Sequence, residues 1–333
     1  MLPVRVRFFL LLAVAIAAGC TREQPPAAAA PKTPALRKVI FQSDWFPQAE
    51  HGGFYQALAK GFYRQAGLEV EIRPGGPGVG IKVPVSTGDV DFGMNRSDDV
   101  MVVASRGLPL VMVAAILQHD PQALMVHEES PVKSFKDLKG RTVTASVGMT
   151  WIPYIQKKYG ITFALKPNSY SVAAFLADKE AIQQCFVTNE PFYAQQQGLR
   201  VRTLPLAASG YDVYHAIICR RELIRQSPEL VRVFVAASLR GWRDYLEGDP
   251  TLAHELILKR NTHMSRELLE FSRGELILRS LVTGDRERGE DIGQLSLARL
   301  AEELDVLLEL KVMDTPVAIA AVATRAFLPP APH

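Results

Sequence analysis

The apolar positions of this chain change period every few residues. From Lys38 to about Leu117 they spell strand, helix, strand, helix. Residues 39–41 and 68–72 are predicted strands, and 51–65 places Phe54, Leu58 and Phe62 at helical spacing. The turn Gly75-Gly76-Pro77-Gly78 precedes a helix expected over 79–86. Residues 91–94 read as a short strand, with Ser97 or Asp98 placed to cap a helix that runs to Ser105. The unbroken apolar run 110–117 is the pattern of a strand covered on both faces.

A second series repeats the alternation. Strands are expected at 123–126, 142–145, 163–165, 182–187 and 201–204. Helices are expected at 134–140, 149–159 and 172–177, and from Pro191. Residues 213–219 then read as an extended segment returning to the first series. Beyond Arg221 the pattern is nearly all helical, longest over 230–246. The simplest architecture is α/β: two lobes, two crossover strands near 118–122 and 213–219, and a helical C-terminal portion. The lobes are assigned as 37–121 plus 217–333 and as 122–216. A ligand then belongs in the interlobe cleft, at loops that follow strand ends.

Residues 1–19 stand outside this pattern. Arg5 and Arg7 lead into an apolar run, 8–18, too short to span a bilayer, which is the layout of a signal peptide. Its end, Ala17-Ala18-Gly19-Cys20, resembles a bacterial lipobox. That implies cleavage before Cys20 and lipid on this cysteine; the alternative is an ordinary secretory signal with an incidental cysteine. Residues 20–36, rich in proline and alanine, read as a tether. The expected location is a bacterial membrane, held by lipid, with the folded part facing the periplasm or cell exterior.

Charge adds little. The formal value of +3 falls by two without Arg5 and Arg7, and basic residues are scattered, which argues against nucleic acid. Cys185 and Cys219, the cysteines left beside Cys20, could pair in an oxidising compartment, but buried free thiols are the expectation. The seven histidines are dispersed and no Cys-x-x-Cys occurs, so neither a metal nor a cofactor is expected.

The densest chemistry lies in Phe41-Gln42-Ser43-Asp44-Trp45-Phe46-Pro47, just past the first strand. Asp44 and Trp45 offer an acceptor beside a flat apolar face, suited to a small aromatic or cationic molecule. Further markers are His51-Gly52, Gly61-Phe62-Tyr63, Gly67-Leu68 and Gly88-Asp89-Val90-Asp91-Phe92-Gly93. Phe135-Lys136-Asp137-Leu138-Lys139-Gly140 and Thr188-Asn189-Glu190-Pro191 follow. In this order and spacing, residues 38–248 resemble the bacterial solute-binding proteins of the thiamine-precursor, sulfonate and nitrate transporter group. The resemblance implies a type II periplasmic-binding-protein fold, a monomer that delivers solute to an ABC permease, and no catalysis.

Within that group the Asp44-Trp45 loop and the Asn189-Glu190-Pro191 turn look most like the branch that binds the aminopyrimidine precursor of thiamine. Carried over, Trp45 stacks on the pyrimidine and Glu190 accepts from its amino group, a contact of about 1.5–3 kcal/mol. Asp44 takes a second amino group, and Asn95 donates and accepts at the ring edge. Backbone amides from Gly148 to Trp151, opening a helix that also carries Tyr154, hold an oxygen. Each residue also has a structural reading. Trp45 then belongs to the core, Glu190 to a helix first turn, and Asp44 and Asn95 to turns. Trp151 and Tyr154 pack helix on sheet, His51 begins a helix, and Tyr211, Tyr214 and His215 pack at the hinge.

Three rivals follow from the same residues. Fungal pyrimidine synthases share the fold, with a lysine in the segment matching 93–99, a nearby histidine and a cysteine-rich run. Here Asn95 and Asp99 stand in that segment and no cysteine cluster exists, so the chemistry lacks its residues. A sulfonate, nitrate or flavin keeps the binding role; Asp44 and Glu190 argue against the simple oxyanions. A sensory or scaffold lipoprotein is the third.

Overall fold

The computed structural model describes residues 35–329, so the signal segment, Cys20 and most of the tether lie outside the described residues. Ten strands are described: β1 Arg37–Gln42, β2 Leu68–Arg73, β3 Phe92–Arg96, β4 Leu110–Leu117 and β5 Gln122–His127. They continue as β6 Thr142–Ala145, β7 Ala164–Pro167, β8 Ile182–Phe186, β9 Val201–Pro205 and β10 His215–Arg220. They build two five-stranded sheets, ordered β2-β1-β3-β10-β4 and β7-β6-β8-β5-β9.

The two sheets share one plan. In each, the first three strands are parallel, and the fourth in spatial order runs antiparallel to both neighbours. That reversed strand is the product of a crossing. β5 enters the second sheet straight from β4, and β10 returns to the first after β9. Every residue of β4 is buried, as its unbroken apolar run requires. Edge strand β2 instead buries Leu68, Val70 and Ile72 and exposes Glu69 and Glu71.

An aromatic stack holds the first sheet to its helices. Phe92 and Phe234 lie 4.0 Å apart between ring centroids, Phe41 and Phe54 4.2 Å, and Tyr63 stacks on Phe234 at 5.5 Å. Phe234 belongs to helix Pro228–Glu247, which crosses helix Gly52–Ala59 at very short range. A Cβ on Gly53 would lie 2.2 Å from the Trp242 ring, and one on Gly241 2.3 Å from the Gly53 carbonyl oxygen. The glycines after His51 therefore serve helix contact.

Some elements depart from expectation. Segment 51–65 is split into Gly52–Ala59 and Phe62–Gln65 by Gly61, whose φ of 71° no helix interior accepts. The helix expected over 79–86 forms at Lys82–Thr87, after Gly78 at φ 77°, and that expected from Met149 begins at Trp151. Neither Ser97 nor Asp98 caps helix Ser97–Ser105. The Ser97 hydroxyl donates to Glu303 and accepts from the Tyr214 amide, while Asp98 pairs with Arg96. Cys185 and Cys219 are free and buried. No helix among the described residues is long and apolar enough to cross a membrane.

Candidate functional site

A cavity of about 640 Å³ opens between the two sheets, where strand ends from both converge. Asp44 and Trp45 follow β1, Asn95 and Arg96 end β3, Val147 and Met149 follow β6, and Glu190 follows β8. His215 starts β10, whose reversed direction brings its amino end to the same side. A sheet-end cleft of this kind is where open α/β folds hold ligands. A smaller cavity of 290 Å³ lies beside β6 and helix Ala173–Ala177, lined by Arg141, Lys166 and Asp178 among others. The smaller is lined from the side of the second sheet alone, the larger by groups from both.

Aromatic rings meet at its rim. Trp45 is half-buried, and its ring centroid lies 5.1 Å from that of Tyr170, which follows β7 in the second sheet. The Trp45 loop is held from below: the Trp45 carbonyl accepts from the Ser43 hydroxyl at 2.8 Å and the Gly75 amide at 3.1 Å. Tyr170 takes a left-handed φ of 57°, and its amide donates to Asn168 Oδ1 at 2.9 Å. Tyr170 is 51% exposed, and its hydroxyl accepts from the Ser146 hydroxyl at 3.4 Å.

Asp44 is not a free acceptor. Its Oδ1 lies 2.7 Å from His51 Nε2 and its Oδ2 3.4 Å from His215 Nδ1. Burial works against ionisation, yet the nearby His215 ring and the hydrogen bond with His51 hold the carboxyl well below the usual range. His215, with Asp120 Oδ1 3.5 Å from its Nε2, shows the converse. Burial lowers its pKa, but the carboxylates of Asp120 and Asp44, one against each ring nitrogen, outweigh that and lift it to about 9. His51 and His215 thus do more than the helix-starting and hinge-packing roles expected of them, and Tyr211 and Tyr214 remain buried packing residues.

Glu50 and Glu190 supply a second carboxyl pair. Glu190 Oε2 accepts from the Phe186 amide at 2.8 Å, and burial together with the charge of Glu50 pushes its pKa up to about 7. Glu50, only 3% exposed, accepts from the Thr188 hydroxyl, a bond that ties the β1 loop to the β8 loop. Its pKa is also raised, mainly by burial. Sequence reasoning missed Glu50, Arg96, Tyr170 and the cavity role of His215. Arg96 stood in a segment already marked as chemical, so its charge was the available signal.

Other expected contacts fall elsewhere. Trp151 is fully buried in the second sheet's core, stacked 6.4 Å from Phe163, because its position on helix Trp151–Tyr159 faces inward. The Tyr154 hydroxyl donates to the Ser209 carbonyl at 3.2 Å, away from the cavity. Gly148, at φ 82°, lies between the lining residues Val147 and Met149 but is not itself in the lining. Asp44, Trp45, Asn95 and Glu190 share one lining.

Comparison with known proteins places these features. The model of a family described as NMT1/THI5 like matches residues 48–252. The riboflavin-binding protein RibY of Chloroflexus aurantiacus is 29% identical over 285 residues, covering 78% of this chain and 79% of that one. The formylaminopyrimidine-binding protein of Halalkalibacterium halodurans is 32% identical over 272 residues, covering 78% and 80%. The 4-amino-5-hydroxymethyl-2-methylpyrimidine phosphate synthase THI11 of Saccharomyces cerevisiae is 25% identical over 259 residues, covering 67% and 74%. Among solved structures, the alkanesulfonate-binding protein SsuA of Xanthomonas axonopodis pv. citri superposes with a TM-score of 0.61. It covers 88% of this chain and 99% of that one at 13% identity, a likeness of fold alone.

Proposed function

This chain belongs to the NMT1/THI5-like family, and we propose that it is an exported carrier that captures one small flat nitrogen heterocycle and delivers it to an ABC permease. Its fold is the two-lobe type II periplasmic-binding-protein fold, and a solute-binding role follows from fold and family together. The observation that carries the ligand class is the shared lining: an indole from one sheet and a carboxyl from the other face one cavity. Trp45 supplies the stacking face, and Glu190 and Glu50 supply acceptors for ring amino groups. A thiamine-precursor aminopyrimidine meets both, in keeping with the formylaminopyrimidine-binding relative.

A flavin is the second reading. A volume near 640 Å³ falls in the range of pockets for multi-ring ligands, about 300–1,000 Å³. A single pyrimidine leaves much of it unfilled, and RibY is a relative of similar coverage. Catalysis is not part of the reading: Asn95 and Asp99 stand in the segment that matches the one holding the synthases' lysine, and no cysteine cluster exists in the sequence. Anchoring through lipid on Cys20, and the lobes 37–121 plus 217–333 and 122–216 closing as a monomer, complete the proposal. Ligand need only favour the closed arrangement over an open one already sampled.

Thermal unfolding of the purified protein with an aminopyrimidine, riboflavin, taurine or nitrate tests this. A bound heterocycle at a hundred times its dissociation constant adds about 2.7 kcal/mol of stability. Stabilisation by taurine or nitrate, with none by either heterocycle, would overturn the assignment.

A further inference from the structure

Gln122 and Gln184 are buried amides in the cavity lining that ring stacking and amino-group recognition leave unused. Gln122 opens β5 and Gln184 lies in β8, at diagonal positions of one antiparallel pair, so their side chains share a face. Gln184 Nε2 donates to Gln122 Oε1 at 2.6 Å. Gln122 Nε2 donates to Asp120 Oδ2 at 3.0 Å, and Gln184 Oε1 accepts from the Ser146 amide at 2.9 Å. The two glutamines thus join the first crossing to the loop after β6.

The direction of these bonds is fixed from both ends. Asp120, the partner of the His215 cation, only accepts, so Gln122 must turn its amino group there and its oxygen toward Gln184. The Ser146 backbone N–H only donates, so Gln184 must turn its oxygen there and its amino group toward Gln122. The two requirements agree. Neither amide can flip alone without setting donor on donor or acceptor on acceptor, in residues only 1% and 6% exposed.

Both ends lead on to the rings at the rim. Asp120 Oδ1 lies 3.5 Å from His215 Nε2, and His215 Nδ1 lies 3.4 Å from Asp44, the neighbour of Trp45. At the other end the Ser146 hydroxyl donates to the Tyr170 hydroxyl at 3.4 Å, and the Tyr170 ring meets that of Trp45. The path leaves the Trp45 loop, passes through both crossings and returns to Trp45 from the opposite sheet. Its last step is a contact between two rings, which no directional bond holds.

We infer that Gln122 and Gln184 are positioning residues, a hydrogen-bond relay of single polarity that holds the Ser146 loop, and through it Tyr170, against Trp45 at the mouth of the cavity. They act on the rim and need not touch the solute. The relay requires only the cavity and its two sides, so it stands whichever solute the cavity takes.

Acrylamide quenching of tryptophan fluorescence in the purified, ligand-free protein tests the relay. Of the three tryptophans, Trp151 and Trp242 are fully buried, which leaves half-buried Trp45 as the one the quencher reaches. Trp45→Phe should therefore remove most of the quenching. Gln122→Glu keeps the size of the side chain but puts an oxygen where Asp120 needs a donor. Release of Tyr170 takes Trp45 from half-buried to exposed, so the quenching constant should rise about two-fold. Asp120→Asn combined with Gln122→Glu exchanges donor and acceptor at that link without changing net charge, and should recover most of the change. Asp120→Asn alone should not behave as wild type. Gln122→Met, which cuts the relay without adding a charge, should raise quenching as well, and melting curves report on the folding of each variant. Where Gln122→Glu fails to fold, a folded double variant shows the same rescue. A packing role makes the damage of the two single substitutions add in the double variant. Wild-type quenching in both Gln122→Glu and Gln122→Met, or a double variant no better than Gln122→Glu, would overturn the relay.

Discussion

Asp44 Oδ2 lies 3.4 Å from His215 Nδ1, which fastens the loop after β1 to the strand that returns from the second sheet. The contact joins the main candidate ligand loop to the second crossing. It also sets the charge of both groups, since each holds the other ionised against the cost of burial.

The pH response of this pair has two sides. His215 is raised from 6.5 to about 9, so its contribution to stability is complete below 6.5 and is lost as pH rises through about 9. Asp44 is lowered from 3.8, so its contribution is present above that value and is lost as pH falls below it. Asp44→Asn should move the His215 midpoint down toward 6.5 in a proton NMR titration, and should reduce stability most between the two limits. A wild-type midpoint already near 6.5 would refute the coupling.

Glu190 slopes the same way as His215 and opposite to Asp44. Its pKa is raised from 4.5 to about 7, so the folded state holds a proton that the unfolded state has released across that window. Stability should decline as pH rises from about 4.5 through about 7 on this account. Glu190→Gln keeps an acceptor for the Phe186 amide and cannot ionise. Its denaturation midpoint should gain on wild type progressively over that range, and parallel pH profiles would count against the assignment.

The rings at the rim should share the ligand. Trp45→Ala is expected to weaken heterocycle binding by roughly five- to 150-fold, the worth of about 1–3 kcal/mol of stacking. Tyr170→Ala should weaken it as well, because its centroid is 5.1 Å from that of Trp45 and it follows a strand of the opposite sheet. Calorimetric titration of both variants checks this; loss in Trp45→Ala alone would place Tyr170 outside the site.

Gly53→Ala addresses the frame and not the site. The added Cβ would fall 2.2 Å from the Trp242 ring, which is fully buried and cannot swing away. Overpacking of this kind costs about 1–3 kcal/mol, so a clear drop in melting temperature is expected. An unchanged melt would mean that helices Gly52–Ala59 and Pro228–Glu247 can separate without loss.

Local pattern carried much of the fold. The run 110–117 is strand β4 to the residue, because full burial leaves an unbroken apolar signature, and 142–145 is β6, where Val143 and Ala145 point inward in alternation with two threonines. It failed at 51–65, where one left-handed glycine outweighs a continuous helical period. In the cavity, Asp44, Trp45, Asn95 and Glu190 could be picked out because they follow strands or open a helix. Tyr170 could not, since β7 is an exposed four-residue edge strand with no apolar face to announce it. Trp151 was misplaced because helical spacing gives a face its period, not its direction.

Residue order alone therefore determined the alternating elements, the two crossings and the chemistry available after each strand, since these depend on neighbours a few positions apart. Tertiary structure alone decided which of those groups meet. Glu50 reaches Thr188 over 138 positions, and Asp44 and His215 stay ionised together because folding brings them to 3.4 Å, which outweighs the loss of water around both. Desolvation and pairing depend on what lies near in space, and no local pattern records that.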